Sequence, residues 1–570
     1  MGSTSEGSDP AELYQMLKRL EDRVSRIEEQ LRLSPEQKEN RTDFPQQNPA
    51  QLSLDTEDVL ERQIGETLFA RAGILVLAIG FAFLLTFPFR GLPAVLPSMF
   101  GYILVGAAWT LSHRWRESFP QLSSYVLAGA LILFYFTTLR LHFFSPESAI
   151  QNTTVELVLL LLVVIVSTIA ATGRRSPYLA AIGLAGGYIT ALVSEDALVV
   201  MCVCVALSAG AVFLARRYAW YTLLVFAACM TYLTHFTWAL GNPAMGNEIH
   251  LIIGSPLNAF AVLLYVVVLA CGTLFRPVGL IEGGPIVAAS FVNGVAGYGL
   301  YFLLTVPLHS TSLLLYHSVA SAVFLALSIV FWIRERSRVA TFVYAMLGYM
   351  ALSVAIISAF PSPDYFVWLA CQSILVISTA IWFRSRFIIG TNFAIYCILF
   401  VAYLFRAGSV SMVSIVFGVV ALLSARILNW QKGRLELKTE MMRNAYLASA
   451  FFIIPYALYH TVPAAYVTMS WVGVAVFYFV MSVLLKNNRK YRWMALLTFC
   501  VTIGYLFLVD IRNLDPAFRI LSFLVLGITL FLISLLYARK RKKAQQELQE
   551  QFLSSEPHLR SEEHQERTYG

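Results

Sequence analysis

Charged and titratable side chains are rare inside the long apolar runs of this 570-residue chain. Each one found there is a candidate for function, because an ionisable group in hydrocarbon is costly unless it is paired or lines a water-filled path. His235, in Thr234-His235-Phe236-Thr237-Trp238, and His317 fall toward the outer ends of two such runs, and His309 and His460 lie where runs stop. Imidazole titrates near neutrality and suits acid–base work, while its plainer use near a membrane boundary is as a hydrogen-bonded packing group. Asp510 and Arg519 flank a short turn near the C-terminal end, with Arg512 and Asp515 between them. Pairing across that turn would fix the last two helices, or serve as a gate or headgroup contact. Gly183, Gly186 and Gly187 form a third candidate, matched in kind by Gly294, Gly297 and Gly299. Small residues let helices approach closely. The sharper reading is a broken or re-entrant helix at a binding site. Asn258, Asn293, Gln372 and Asn392 are uncharged polar groups within the runs and are expected to bond across helices.

Patterned enzyme chemistry is missing. The seven cysteines all lie in apolar runs, form no CxxC pair, and read as small buried hydrophobes. There is no GxSxG, HExxH or Walker loop. Glu147, Glu156, Glu195, Asp196, Glu248 and Asp364, the acids expected on the outer side, are scattered single residues. No run carries Asp or Glu near its centre, which argues against a pump driven through a mid-membrane carboxylate. The sequence therefore assigns no catalytic residue, no metal site and no cofactor.

What must position these groups is a membrane-embedded all-α bundle. Hydrophobic residues make up 58% of the chain and charged residues 13%, against about 45–50% and about 25% in soluble domains. The net charge of +8 does not indicate nucleic acid, because Lys and Arg sit in short clusters between apolar runs. At about 20 residues per crossing, residues 58–538 hold about eighteen spans. Two of them, at 178–194 and 286–306, are glycine-rich and weak. Every second loop is basic, as at Arg174-Arg175, Arg216-Arg217, Arg334 to Arg338 and Arg384 to Arg386, whereas the loops between hold little more than Arg90, Arg140, Arg406 and Arg512. A miscounted span would break that alternation. The positive-inside rule then predicts a multi-pass inner (plasma) membrane protein with both termini cytoplasmic.

The ends differ from the bundle. In residues 1–33, Leu13, Leu17, Leu20, Val24, Ile27 and Leu31 alternate steps of four and three, the seam of a short coiled coil. It would serve a homo-oligomer or a cytosolic partner through residues 11–33, or else lie on the bundle or on lipid, since a helix this short is marginal alone. Residues 34–57, rich in Pro, Gln, Asn and Asp, read as a flexible linker. Residues 539–570 form a cytosolic tail, basic and then mixed in charge.

Several segments carry a resemblance. They are Leu60-Glu61, Ile64-Gly65, Arg71-Ala72-Gly73-Ile74 and Gly80-Phe81; Leu127-Ala128-Gly129-Ala130 with Tyr135 and His142; and Gly183, Gly186-Gly187 and Thr190. The end matches most specifically, through Asp510, Leu514, Arg519-Ile520-Leu521-Ser522-Phe523, Gly527 and Tyr537. The chain resembles an uncharacterised bacterial multi-pass membrane family, domain of unknown function 2339, over nearly its whole length. One departure is Thr190-Ala191, where the family pattern has Thr-Pro, and it weakens the case for a broken fifth helix. The resemblance implies fold and location and carries no activity.

Three functions stay open. The first is a carrier or flippase for a lipidic or amphipathic envelope component, which expects a lipid-accessible cavity near Gly187 or His235. The second is a non-enzymatic scaffold that oligomerises or recruits partners through its coiled coil. The third, well behind, is a membrane-embedded enzyme using outer-face histidines. The partner common to all three is the lipid bilayer.

Overall fold

The computed structural model describes residues 95–143, 149–194, 196–250, 256–276, 282–307, 310–406, 411–430, 440–485, 488–510 and 516–535, with isolated positions beyond them. The coiled-coil seam from Leu13 to Leu31, the linker 34–57, the expected span at 68–87 and nearly all of the tail lie outside the described residues. Among the described residues every regular element is helical and there is no strand.

The chain forms two compact units, residues 1–152 and 153–570. In the first, α1 (Val95–Arg114) and α2 (Pro120–Leu139) form a hairpin. Ser112 and Ser123 lock it, each donating its hydroxyl to the other's carbonyl, at 2.8 and 2.6 Å. Tyr102 bonds Thr138 at 3.1 Å nearer the other end.

The second unit begins with α3 (Thr153–Gly173), α4 (Pro177–Val193), α5 (Ala197–Tyr218), α6 (Tyr221–Ala239), α7 (Pro256–Leu274), α8 (Gly284–Thr305), α9 (Ser310–Val330) and α10 (Arg338–Ala359). It continues with α11 (Tyr365–Trp382), α12 (Arg386–Arg406), α13 (Val413–Trp430), α14 (Glu440–Thr461), α15 (Val467–Leu484) and α16 (Arg489–Tyr505), and ends with α17 (Pro516–Leu535). Each helix falls on one expected span. Fifteen are long and apolar enough to cross a membrane. Of the other two, α4 has 17 residues, and α14 opens on the polar stretch Glu440 to Asn444. Large apolar side chains such as Ile103, Phe213, Leu315 and Ile398 point outward. That is the surface a lipid solvent permits and water does not.

The corners between helices follow a local code. Arg175-Ser176, Arg336-Ser337 and Arg384-Ser385 each place an arginine in the left-handed region, at φ 50°, 51° and 50°. The serine that follows caps the next helix, accepting from Leu179, Ala340 and Ile388 N–H at 3.4, 3.1 and 3.4 Å. At the first and third corners the chain closes a Schellman motif: Ser176 N–H reaches Ala171 O at 3.1 Å and Ser385 N–H reaches Ala380 O at 3.0 Å. A left-handed non-glycine residue costs about 1–2 kcal/mol. A cation beside the negative end of the preceding helix returns roughly 0.3–1 kcal/mol of that.

Candidate functional site

The glycine-rich helices are closely packed and unbroken. A Cβ at Gly183 would lie 3.0 Å from Ser167 Cβ of α3, and one at Gly187 would lie 2.7 Å from Leu207 Cδ2 of α5. At Gly297 of α8 the clash would be closer, 2.4 Å from Val266 Cγ2 of α7. Both helices run continuously. The missing Cβ atoms let these helices approach closely.

His235 and His317 are fully buried, and neither lies on an open face. His235 Nδ1 faces Tyr265 Oη at 3.2 Å, and its ring meets Trp238 edge to face. His317 is held at both nitrogens, Nδ1 by Tyr298 Oη at 3.3 Å and Nε2 by Thr305 Oγ1 at 3.1 Å. The tyrosine and threonine contacts run between neighbouring helices, and His235 Nε2 is buried without a hydrogen-bond partner. His460 is exposed beside Tyr456 and Tyr459, and His309 lies outside the described residues.

Around them runs a chain of buried phenols and amides. Tyr188 of α4 bonds Thr231 of α6 at 2.8 Å, and Thr231 bonds Ser208 of α5 at 2.9 Å. Tyr232 donates to Asn293 Oδ1 at 2.6 Å, while Asn293 Nδ2 donates to Val266 O and Tyr344 Oη, both at 2.9 Å. One amide of α8 thereby ties α6, α7 and α10. Asn392 of α12 repeats the device, donating to Ser373 Oγ of α11 at 2.8 Å and Tyr446 Oη of α14 at 2.9 Å. Gln372 donates to Tyr349 O at 2.8 Å. Asn293, Asn392 and Gln372 thus bond across helices as their types predict. Asn258 is buried with its Oδ1 unpartnered, and Glu156 is buried in α3 with both carboxylate oxygens unpartnered.

Asp510 closes a π turn, Leu506–Asp510, after α16. It is buried, and the hydroxyl of Thr468 on α15 donates to it. Arg519 stands half-buried in the first turn of α17.

The sequence reading missed a cavity at the basic corners. It measures about 730 Å³ and is lined by the corners before α10 and α12. Arg338, Arg384 and Arg386 supply cations, and Trp332, Phe342, Phe383 and Phe387 supply rings. Trp332 and Phe383 meet edge to face at 5.9 Å. No carboxylate pairs with any of the three arginines among the described residues. Ser337, between Arg336 and Arg338, donates to Glu282 at 2.5 Å, so that acid is engaged by a hydroxyl. The signal was present twice, in Trp332 followed by Arg336-Ser337-Arg338 and in Trp382 followed by Arg384-Ser385-Arg386. Read as loop charges that set topology, they hid their second property, that both flank an aromatic-rich helix start.

The other side of the same turn is closed. Arg276 Nε meets Glu335 Oε2 at 3.1 Å, with both side chains largely buried. Arg216 and Arg334 stand over the Phe275 ring, their guanidinium carbons 5.3 and 4.6 Å from its centroid.

Fold and site together define a polytopic helical membrane protein, with an interior cross-linked by neutral polar groups and an arginine-lined cavity at one set of corners. The chain belongs to the family described as Predicted membrane protein (DUF2339), whose model matches residues 65–453. No curated protein and no solved structure matches it.

Proposed function

We propose that the protein captures a lipidic or amphipathic envelope component at the basic edge of its bundle and acts as a carrier or flippase for it. The observation that supports this reading is the cavity of about 730 Å³, where cations and aromatic rings share one wall. Its size lies in the range of small-molecule sites, roughly 300–1,000 Å³. A cargo site near Gly187 or His235 has no such support, because Leu207 crowds the first and Tyr265 and Trp238 cover the second. By the positive-inside rule the cavity faces the cytoplasm, so cargo would enter from the inner leaflet.

The test is a photoreactive amino acid at Phe342, in protein reconstituted with labelled lipid, joined to a transbilayer-movement assay on the same vesicles. The expected result is lipid cross-linked at Phe342 and movement above that of empty vesicles. Absence of both would remove the reading. Cross-linking without movement would leave a static lipid-binding protein and favour the scaffold, which the closed, hydrogen-bonded interior of α4–α10 also suits. On the scaffold reading, deleting residues 11–33 abolishes self-association or partner capture while insertion survives.

A further inference from the structure

We infer that the cavity between the two Arg-Ser-Arg corners recognises a phosphate head of net negative charge, carried by an amphiphile whose apolar part leaves along the aromatic wall. This inference rests on the reading that the cavity takes an amphipathic component, and adds the chemistry of its head. Three guanidinium groups, Arg338, Arg384 and Arg386, line one volume with no carboxylate partner among the described residues. A neutral head would leave all three unmatched in the cavity, and an ammonium head would be repelled. Guanidinium presents a planar fork of donors that fits phosphate oxygens two at a time. Two of these arginines, Arg338 and Arg386, open α10 and α12, so the positive ends of two helix dipoles add to the same field.

The rest of the lining decides between a lipid and a free solute. Phe383 is buried, Trp382 packs against it with ring centroids 5.2 Å apart and is 48% exposed, and Phe387 is 81% exposed. Those rings continue the cavity wall onto the outside of α11 and α12. An exposed tryptophan next to a basic pocket is what a membrane interface favours. A soluble phosphate would use the arginines and leave that wall idle.

The experiment uses the full chain, delipidated and placed in nanodiscs of phosphatidylcholine. Phosphatidylglycerol, phosphatidic acid or inorganic phosphate is titrated in, and bound lipid is counted by native mass spectrometry. With one arginine worth about fivefold in affinity for an anionic surface, three are worth on the order of a hundredfold. Wild type is expected to hold one anionic lipid at fixed stoichiometry, with at least a tenfold preference over phosphatidylcholine. R338Q/R384Q/R386Q is expected to lose that preference while still admitting the zwitterionic lipid. If the triple variant does not insert, R384Q alone carries the comparison with about a fivefold loss. Inorganic phosphate that binds wild type at millimolar concentration and displaces the lipid would support the phosphate chemistry and name a soluble source. Equal binding of phosphatidylglycerol and phosphatidylcholine by wild type, or a preference that survives in the triple variant, would overturn the inference and leave the lipid-binding reading standing. No bound lipid of either kind, with no cross-link at Phe342, would remove that reading itself.

Discussion

The turn after α9 feeds two arginine-rich regions, and they differ in where the negative charge comes from. On one side Arg334 and Glu335 join Arg276, Arg216 and Phe275 in a closed knot whose carboxylate is built into the chain. On the other, Trp332 and Arg338 turn toward Arg384 and Arg386 around a cavity that no carboxylate enters among the described residues. A π turn, Phe331–Glu335, contributes to both, with Trp332 on the cavity side and Arg334 and Glu335 in the knot. Each region holds three arginines. The number of arginines at a membrane edge therefore says little about their role. An arginine whose counter-ion is supplied locally holds helices together, and one whose counter-ion is missing from a pocket is available to a ligand.

The largest test of that contrast is Glu335→Gln. Arg276 is 6% exposed and Glu335 12%, so removing the carboxylate leaves a buried guanidinium without its partner, at a cost of about 3–5 kcal/mol. Thermal unfolding in detergent should show a large drop in midpoint. Arg384→Gln, at a cavity arginine with no such partner, should stay within about 0.5 kcal/mol of wild type. Similar losses for the two variants would erase the distinction.

A second pair asks whether the interior is as closed as the knot. Gly297→Ala places a methyl 2.4 Å from Val266 Cγ2, and overpacking of this kind costs about 1–3 kcal/mol. Gly299→Ala, two residues on, meets nothing within 4 Å and should be neutral or slightly stabilising in the same melt. An equal response would mean that α7 and α8 yield, and that the interior could open for cargo after all.

Asn293→Leu comes next in size. It removes the bonds to Tyr232, Val266 and Tyr344, which at membrane values of about 0.6 kcal/mol each amounts to roughly 1–2 kcal/mol. Asn392→Leu should cost a similar amount, since that amide bonds Ser373 and Tyr446 from the same kind of position. A loss at one and not the other would show that the resemblance between the two hubs is geometric only.

Much of this was legible before any coordinates. Length and apolarity place a helix on each expected span from residue 94 onward, because hydrocarbon leaves the backbone no other way to satisfy its N–H and C=O groups. Asn293, Gln372 and Asn392 could be assigned cross-helix bonds by type alone. The glycines could be read as contact points, although not which neighbour each would meet. His235 and His317 drew attention as ionisable groups, yet the phenols that meet their Nδ1 atoms, Tyr265 and Tyr298, lie 30 and 19 residues away on other helices. The cavity was harder still. Its arginines, Arg338 from one corner and Arg384 and Arg386 from another, come from separate hairpins, and nothing in one sequence says that those corners share a wall. Local spacing reveals a cap or a seam, whereas a pocket between hairpins depends on how the hairpins stack.

The smallest expected effect bears most directly on the contrast. If the cavity takes an anionic lipid and the knot does not, then lipid at ten times its dissociation constant should stabilise wild type by about 1.4 kcal/mol. The same increment should appear in Glu335→Gln, starting from its lower baseline, because the cavity lining contains neither Glu335 nor Arg276. Arg386→Gln should behave oppositely, with a normal baseline and a reduced response. Effects at sites without shared partners add. A Glu335→Gln protein that no longer responds to lipid would therefore mean that the π turn couples the knot to the cavity. In that case a bound headgroup would be felt at Arg276 and the ends of α5 and α7, and the two regions would act as a single device, with the ligand's phosphate as its second anion.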